Sequence, residues 1–509
     1  MGDNLRSIIG RVWTRPYLLL LPISAFILFF NLDKLCFWGD ELYTLELIRS
    51  PLTEIIRTVG LDYHPPLYFL LAKYWCNIFG YTETGLRSFS ALLGLLGILS
   101  SIIFYRFLLD KPQFQLASIL ISIHPVLLLY CRMGRYYSLL YLFSTISFYF
   151  FFKMLQSPRI KYILPYSLAG IGLIYTANTG WFVFAAQSVI YFFISRKREL
   201  RPIKWFSILA LIIAAYIPWL VPFVNQLTTG STSPEFHLGA GMLPDLAVRL
   251  FYPLYSYLLS ETIYPWKYAL VIPAVLTLAL AGIGIVKSIK VNKDVLICLV
   301  GITIPLILMV ITSLFVFKRL SFAFFPSRLL YALLFVPPLL SIGLSRFRRT
   351  IMLTASIILI AFHIYAGANY FQGRGFHNLS YIAPLREVRR DFIKETLEPE
   401  IVVSNIHNPS YYLGGSHTYL DLGLFTIRYG DGPYPASIWF LIKSPDQMQV
   451  ASQLQKLILS LCQQFNYENV SENRYGLIDA NYRYYLSRWT GIEFEPYRLR
   501  LIHLRYLKK

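Results

Sequence analysis

Apolar residues run in long blocks up to residue 370, at 17–32, 88–105, 113–130, 136–152, 162–176, 180–194, 205–223, 268–286, 295–316, 329–344 and 351–370. With its flanks, each block is about long enough to cross a ~30 Å hydrocarbon core as a helix. No Lys, Arg, Asp or Glu falls within them. Beyond residue 372 the pattern changes. Acidic residues become frequent, 384–397 and 447–464 read as amphipathic helices, and 400–404 and 437–443 read as strands rich in Ile and Val. The expected fold is an α-helical polytopic membrane protein with about eleven transmembrane helices and a small C-terminal α/β domain. The expected division is a transmembrane domain over 1–371 and an α/β domain over 372–509.

One segment needs a decision. Residues 64–80, HPPLYFLLAKYWCNIFG, are apolar but short, with Lys73 and Asn77 on one helical face. A lone Lys at mid-bilayer costs a few kcal/mol, and a helix lying in the interface avoids that cost. Charge supports the interfacial choice. With the N-terminus (Arg6, Arg11, Arg15) cytoplasmic, the later basic clusters also fall inside. They are Arg106/Lys111, Lys153/Arg159/Lys161, Arg196/Lys197/Arg198/Arg201/Lys204, Lys287/Lys290/Lys293 and Arg346/Arg348/Arg349. A crossing at 64–80 would turn all of them outward, against the positive-inside rule. The chain is therefore expected to be a multi-pass protein of the plasma (inner) membrane. Its loop 33–87, short turn at 132–136, loops 224–267 and 317–328, and C-terminal domain lie on the extracytoplasmic side.

Composition agrees. Of 509 residues, 56% are hydrophobic and only 15% charged, against roughly a quarter charged in soluble domains. The net charge of +20 sits between apolar blocks and in the C-terminal part, which argues against a nucleic-acid partner. Five scattered cysteines without a CxxC pair give no metal centre. No Walker A loop, GxGxxG or HExxH is present, and the short cytoplasmic loops leave no room for a nucleotide-binding domain.

The candidate chemistry lies at the outer boundary. Loop 33–87 opens with Phe37-Trp38-Gly39-Asp40-Glu41. An acid pair there suits a general base, and equally reads as a solvated loop pair. His64 precedes two prolines, a rigid helix entry. Arg87 opens the second span. Arg132 and Arg135 sit in a short outer turn, and Arg328 begins a late span with Lys318 and Arg319 nearby. Such cations read either as snorkelling into headgroups or as phosphate ligands.

At these residues the chain resembles a known family. WGDELYTL followed by DYHPPLYFLLAKYWCNIFGYTETGLRSFSALLGLLG is similar to the opening of the GT-C membrane glycosyltransferases. The nearest subgroup is the bacterial relatives of protein O-mannosyltransferases and of the aminoarabinose transferase that modifies lipid A. RYYSLLYLFS resembles their Arg-x-Tyr segment, AAYIPWLVPFVNQL their Pro-Trp segment, and PSRLLYALLFVPPLL their late Arg-led span. The resemblance covers roughly residues 15–345. It implies a GT-C-like fold and a polyprenyl-phosphate-linked sugar donor, with a lipid, glycan or protein acceptor. It implies Asp40 and Glu41 as catalytic acids, and Arg135, Arg328, His64, Arg132 and Tyr137 as donor-phosphate ligands. Trp38, Arg87 and Lys73 would support the acceptor or the loop. No cofactor or metal is expected. In an extended loop Asp40 and Glu41 would face opposite sides, with Asp40 as the base. The chain departs from many relatives in carrying Cys131-Arg132-Met133 where they have an acid, and His64 where some have Lys. A polysaccharide polymerase or ligase and a lipid-linked sugar transporter are the rival readings. Transporters usually place charges at mid-span, and these spans have none.

Overall fold

The apolar blocks fold as helices because hydrocarbon offers no partner to a backbone N–H or C=O, and a helix satisfies both internally. The structure, a computed structural model, describes residues 17–194, 199–232, 242–316, 325–396, 400–429, 434–444, 448–490 and 493–507. Its helical part opens with α1 (Tyr17–Phe29), followed by three shorter helices, α2 (Gly39–Arg49), α3 (Leu52–Leu61) and α4 (Leu67–Phe79). Then come α5 (Glu83–Leu108), α6 (Lys111–Ser122), α7 (Pro125–Cys131), α8 (Tyr137–Gln156), α9 (Ile160–Thr176) and α10 (Trp181–Val189). The series continues with α11 (Pro202–Tyr216), α12 (Leu220–Thr232), α13 (Met242–Leu259), α14 (Tyr268–Ser288) and α15 (Lys293–Ile311). A 3₁₀ segment over Pro326–Leu334 leads to α16 (Val336–Leu344) and α17 (Arg349–Gln372).

Every apolar block of the sequence coincides with a helix or a bent helix pair. Among the described residues, six helices are long and apolar enough to cross a membrane, or up to eight if each bent pair is one span. The bent pairs are α6–α7, at 42°, and the 3₁₀ segment with α16, at 46°. The first bend falls at His124-Pro125, where proline removes a helical N–H. The remaining blocks are shorter helices: α1, α9, and α10 with its continuation to Ile194. The 13-residue α4 is shorter than the ~20 residues a span needs. Small residues allow close packing: a Cβ on Gly284 of α14 would lie 1.9 Å from the Gly343 carbonyl oxygen of α16.

The chain divides into two compact units. One contains the described residues up to Leu32, those from Leu47 to Thr232, and those from Met242 to Gly375. The other gathers Asp33–Glu46 with the described residues from Phe376 onward. This second unit is built on a mixed five-stranded sheet in the order β2-β1-β3-β5-β4. Its strands are β1 (Ile401–Ser404), β2 (Thr418–Leu420), β3 (Ser437–Lys443), β4 (Tyr467–Leu477) and β5 (Tyr497–Tyr506). β1 runs parallel to β2 and β3, with Val402 opposite Trp439. β5 runs antiparallel to β3 and β4. Side chains alternate between the faces. Val403, Ile438, Phe440, Ile502 and Leu504 pack against Leu454, Ile458 and Leu461 of α21 (Met448–Gln464). On the opposite face the Trp439 ring stacks on His503 at 4.2 Å and meets Phe392 of α18 (Leu385–Glu395) edge-on at 5.0 Å. Three short helices complete the unit: α19 (Ser410–Leu413), α20 (Leu422–Tyr429) and α22 (Ala480–Thr490).

Candidate active site

Three cationic or ionisable groups far apart in sequence converge in the first unit. His64 lies between α3 and α4, in a loop with a fixed course. The Gln226 side-chain amide donates to the Val59 carbonyl at 2.8 Å and to the His64 carbonyl at 3.1 Å. Asn178 donates to the Tyr63 carbonyl at 3.3 Å and to Gln226 at 3.0 Å, and accepts from Tyr216 at 3.1 Å. Gly60 lies against Pro222 and Trp219. The Pro-Trp segment thus supports the loop that carries His64.

Arg135 Nη2 lies 3.1 Å from His64 Nε2. A guanidinium can only donate, so Nε2 accepts and the imidazole proton sits on Nδ1, an assignment made from the hydrogen bonds. Burial lowers the His64 pKa well below its ordinary value, and the charges of Arg135 and Arg328 lower it further. The His64 ring lies 4.8 Å from that of Tyr136, and the Arg135 guanidinium sits over the rings of Tyr136 and Phe69. Tyr137 is buried against Tyr136 and Tyr130. Arg328, half-buried at the start of the 3₁₀ segment, has its carbonyl fixed by Thr179 Oγ1 at 2.9 Å. Two permanent cations and a neutral imidazole gathered in a partly buried place suit an anion with several oxygen acceptors.

Other expected ligands have structural partners. Arg132 donates from Nη1 to the Ile27 and Leu28 carbonyls at 2.8 and 3.0 Å, from Nη2 to Asn31 at 2.8 Å, and from Nε to Tyr370 at 3.0 Å. It caps the C-terminus of α1, where a cation meets unsatisfied carbonyls and the negative end of the helix dipole. These bonds give Arg132 a structural role at that helix end beside the phosphate role the resemblance implies. Lys73 closes the end of α2 in the same way, donating to the Ile48 and Ser50 carbonyls at 3.1 and 2.9 Å. Buried Arg87 donates to the Leu32 carbonyl at 2.7 Å. Lys318 and Arg319 lie outside the described residues.

The carboxylate pair belongs to the second unit. Asp40 and Glu41 occupy the first turn of α2 rather than an extended loop, so they diverge by about 100° around a helix axis. Glu41 is fully buried and its Oε2 accepts from the Trp38 backbone N–H at 3.4 Å. A Glu reaching back to the residue before its helix is half of a capping box. Asp40 is half-exposed. Trp38 packs edge-on against Tyr381 at 4.9 Å, and the Phe37 N–H donates to the Tyr412 hydroxyl at 2.6 Å.

Sequence reading passed over Glu261, which follows α13 and is buried in the first unit. Tyr130 and Ser256 donate to its Oε1, the latter at 2.9 Å, and Tyr252 donates to Oε2 at 2.9 Å. Burial raises its pKa, and these hydroxyls pull the other way. The turn with Cys131-Arg132-Met133 has no acid of its own, but Glu261 brings a carboxylate against the adjacent Tyr130. Among the described residues, no group of three or more His, Cys, Asp or Glu side chains converges as a metal centre would.

Comparison with known proteins gives a family match over part of the chain and a fold. The family described as dolichyl-phosphate-mannose-protein mannosyltransferase matches residues 63–221, the stretch holding His64 and Arg135. No curated protein matches the chain by sequence. The crystal structure of ArnT from Cupriavidus metallidurans in the apo state superposes with a TM-score of 0.59 at 13% identity, covering 96% of this chain and 98% of that one. The same protein bound to undecaprenyl phosphate gives 0.56 at 12% identity, covering 96% and 97%. The arabinofuranosyltransferase AftD from Mycobacteria gives 0.51 at 13% identity, covering 97% of this chain and 40% of that one. Profile and fold agree with the resemblance carried by the motifs, and the chain is a membrane protein with a GT-C-like fold.

Proposed function

We propose that this protein transfers a sugar from a polyprenyl-phosphate carrier to an acceptor hydroxyl on the outer face of the membrane, with inversion at the anomeric carbon. The convergence of Arg135, His64 and Arg328 carries this reading. The family profile over 63–221, and the undecaprenyl phosphate held by one structural neighbour, support a phosphate-linked lipid as its occupant.

The chemistry runs as one displacement. The carrier phosphate is held by Arg135 and Arg328, with His64 beside them. Asp40 takes the proton from the acceptor hydroxyl, and the freed oxygen attacks the anomeric carbon opposite the phosphate. The bond from that carbon to the phosphate oxygen breaks, its electron pair stays on the phosphate, and the lipid phosphate leaves. The guanidinium groups stabilise the charge growing there, an effect of about 3 kcal/mol for a well-placed donor. Glu41, buried and bonded to the Trp38 N–H, holds the turn that presents Asp40.

Asp40→Asn tests the assignment. Asn keeps the shape and cannot accept the proton, so single-turnover transfer from a polyprenyl-phosphate sugar should fall by about 10²–10⁴-fold while donor binding persists. Full activity in that variant would overturn the mechanism. Loss in Glu41→Gln alone, in a folded protein, would exchange the two roles.

A further inference from the structure

A cleft of about 1270 Å³ opens in the second unit, at the carboxyl ends of the parallel strands β1 and β2. Ligands of open α/β sheets gather outside the carboxyl ends of such strands. The loop after β1 forms one wall, the start of α20 another, and Glu46 of α2 a third. Its volume exceeds the ~300–1,000 Å³ of small-molecule sites and leaves room for more than one sugar ring.

The lining defines the ligand. In a chain of net charge +20, the ionisable groups lining this cleft among the described residues are Glu46, Asp421, His407 and the Tyr419 hydroxyl, with neither Lys nor Arg. A phosphate or another anion would meet two carboxylates and no fixed cation. Each carboxylate is already engaged on one oxygen. Glu46 Oε2 accepts from the Asn408 amide at 3.0 Å, with His407 Nε2 at 3.9 Å. Asp421 Oδ1 caps α20 through the Leu424 N–H at 2.7 Å. The second oxygen of each can accept from a hydroxyl donor. Gln453 adds an amide. Leu424 and Ile427, 52% and 84% exposed, border the same space, and such surface suits the C–H face of a sugar ring. Polar edges beside apolar faces match a neutral, hydroxyl-rich glycan.

The cleft is also tied to the helix that presents Asp40. Gly39, Tyr43 and Glu46 share one face of α2. A Cβ on Gly39 would sit 3.9 Å from the His407 Cβ, the Tyr43 and His407 rings lie 6.3 Å apart, and Glu46 bonds Asn408. Asn408 holds a left-handed φ of 44°, a conformation Asn tolerates better than most residues. The wall of the cleft is thus packed on the turn that begins one residue before Asp40.

We propose that this cleft binds the glycan portion of the acceptor, a neutral oligosaccharide. Its role as an acceptor site rests on Asp40 as the base, whereas glycan binding itself does not. The test uses the full chain in detergent and lipid-free mannotetraose, maltotetraose and arabinotetraose, with sialyllactose and tetralysine as charged controls, read by calorimetry. At least one neutral tetrasaccharide should bind saturably. His407→Ala and Asp421→Asn should weaken it about tenfold or more, while binding of a polyprenyl-phosphate donor stays unchanged. Asn also caps helices, so Asp421→Asn retains α20. Three results would overturn the proposal: no neutral binding up to about 10 mM, binding as tight in both variants as in the unaltered protein, or binding of tetralysine or sialyllactose alone. Glycan binding that persists while Asp40→Asn remains fully active would remove the base and keep the cleft.

Discussion

At the scale of single residues, His64 is the group whose state the structure defines most closely. Buried, and beside Arg135 and Arg328, it holds its proton less well than a free imidazole. The folded protein therefore binds fewer protons there than the unfolded chain, whose imidazole titrates near ~6.5. Its contribution to stability is intact above that pH and declines as pH falls below it. A phosphodiester seated among these groups would add a negative charge and restore the affinity for the proton. Phosphate monoesters titrate near ~6, but a sugar-loaded carrier is a diester and has no such proton. Donor binding should therefore take up a proton on His64. The donor Kd should tighten as pH falls from about 7.5 to about 5.5, by at most about tenfold per unit. His64→Gln should flatten that dependence. A wild-type Kd indifferent to pH, measured with a diester donor, would remove His64 from the phosphate site.

At the scale of elements, two arginines three residues apart do different work. Arg132 closes α1 through three carbonyls, whereas Arg135 reaches the imidazole of a loop 71 residues earlier. Arg132→Gln should lower the stability of the purified protein by about 1–3 kcal/mol, the cost of leaving buried carbonyls unsatisfied. The donor affinity of the folded fraction should hardly change. Arg135→Ala should do the reverse, and Lys there should restore only part of the affinity because it lacks the planar fork. Denaturation in detergent alongside donor titration separates the two. The sequence could not distinguish them, since both read as cations in one short turn. What was legible was whatever depends on local pattern. The apolar blocks appear as helices, as do 384–397 and 447–464, and 400–404 and 437–443 appear as strands, each within a few residues. β4, YENVSENRYGL, was not legible because its side chains are mostly polar and exposed. β5 was not legible either, because the alternation of Arg498 and Arg500 with buried Leu499 and Leu501 gives way to a run of buried residues from Leu501 to Leu504. The tie from Glu261 to Tyr130 was not legible, because the two lie 131 residues apart.

At the scale of the whole molecule, the proposal depends on which way the chain faces. A donor already carried to the outer face needs no nucleotide site, and that is the reading in which the short basic connections lie in the cytoplasm. One segment sets the orientation: α4, with 13 residues and Lys73 engaged on the carbonyls of Ile48 and Ser50, is shorter than the ~20 residues a span needs. Had it crossed, every later connection would change sides, and the Lys and Arg clusters would be translocated against the positive-inside bias. Two exposed positions decide the matter. Arg348 lies between α16 and α17, and Glu468 lies on β4 of the second unit. In a background with the five native cysteines replaced, Glu468→Cys should react with an impermeant maleimide on intact cells. Arg348→Cys should react only after permeabilisation. The reverse result would put the sheet domain in the cytoplasm, and with it Asp40, which belongs to the same compact unit. Carrier and acceptor would then have to be met from the inside, where nucleotide-activated sugars are made. The cation cluster could still hold a phosphate, but a donor delivered at the outer face could not be its source.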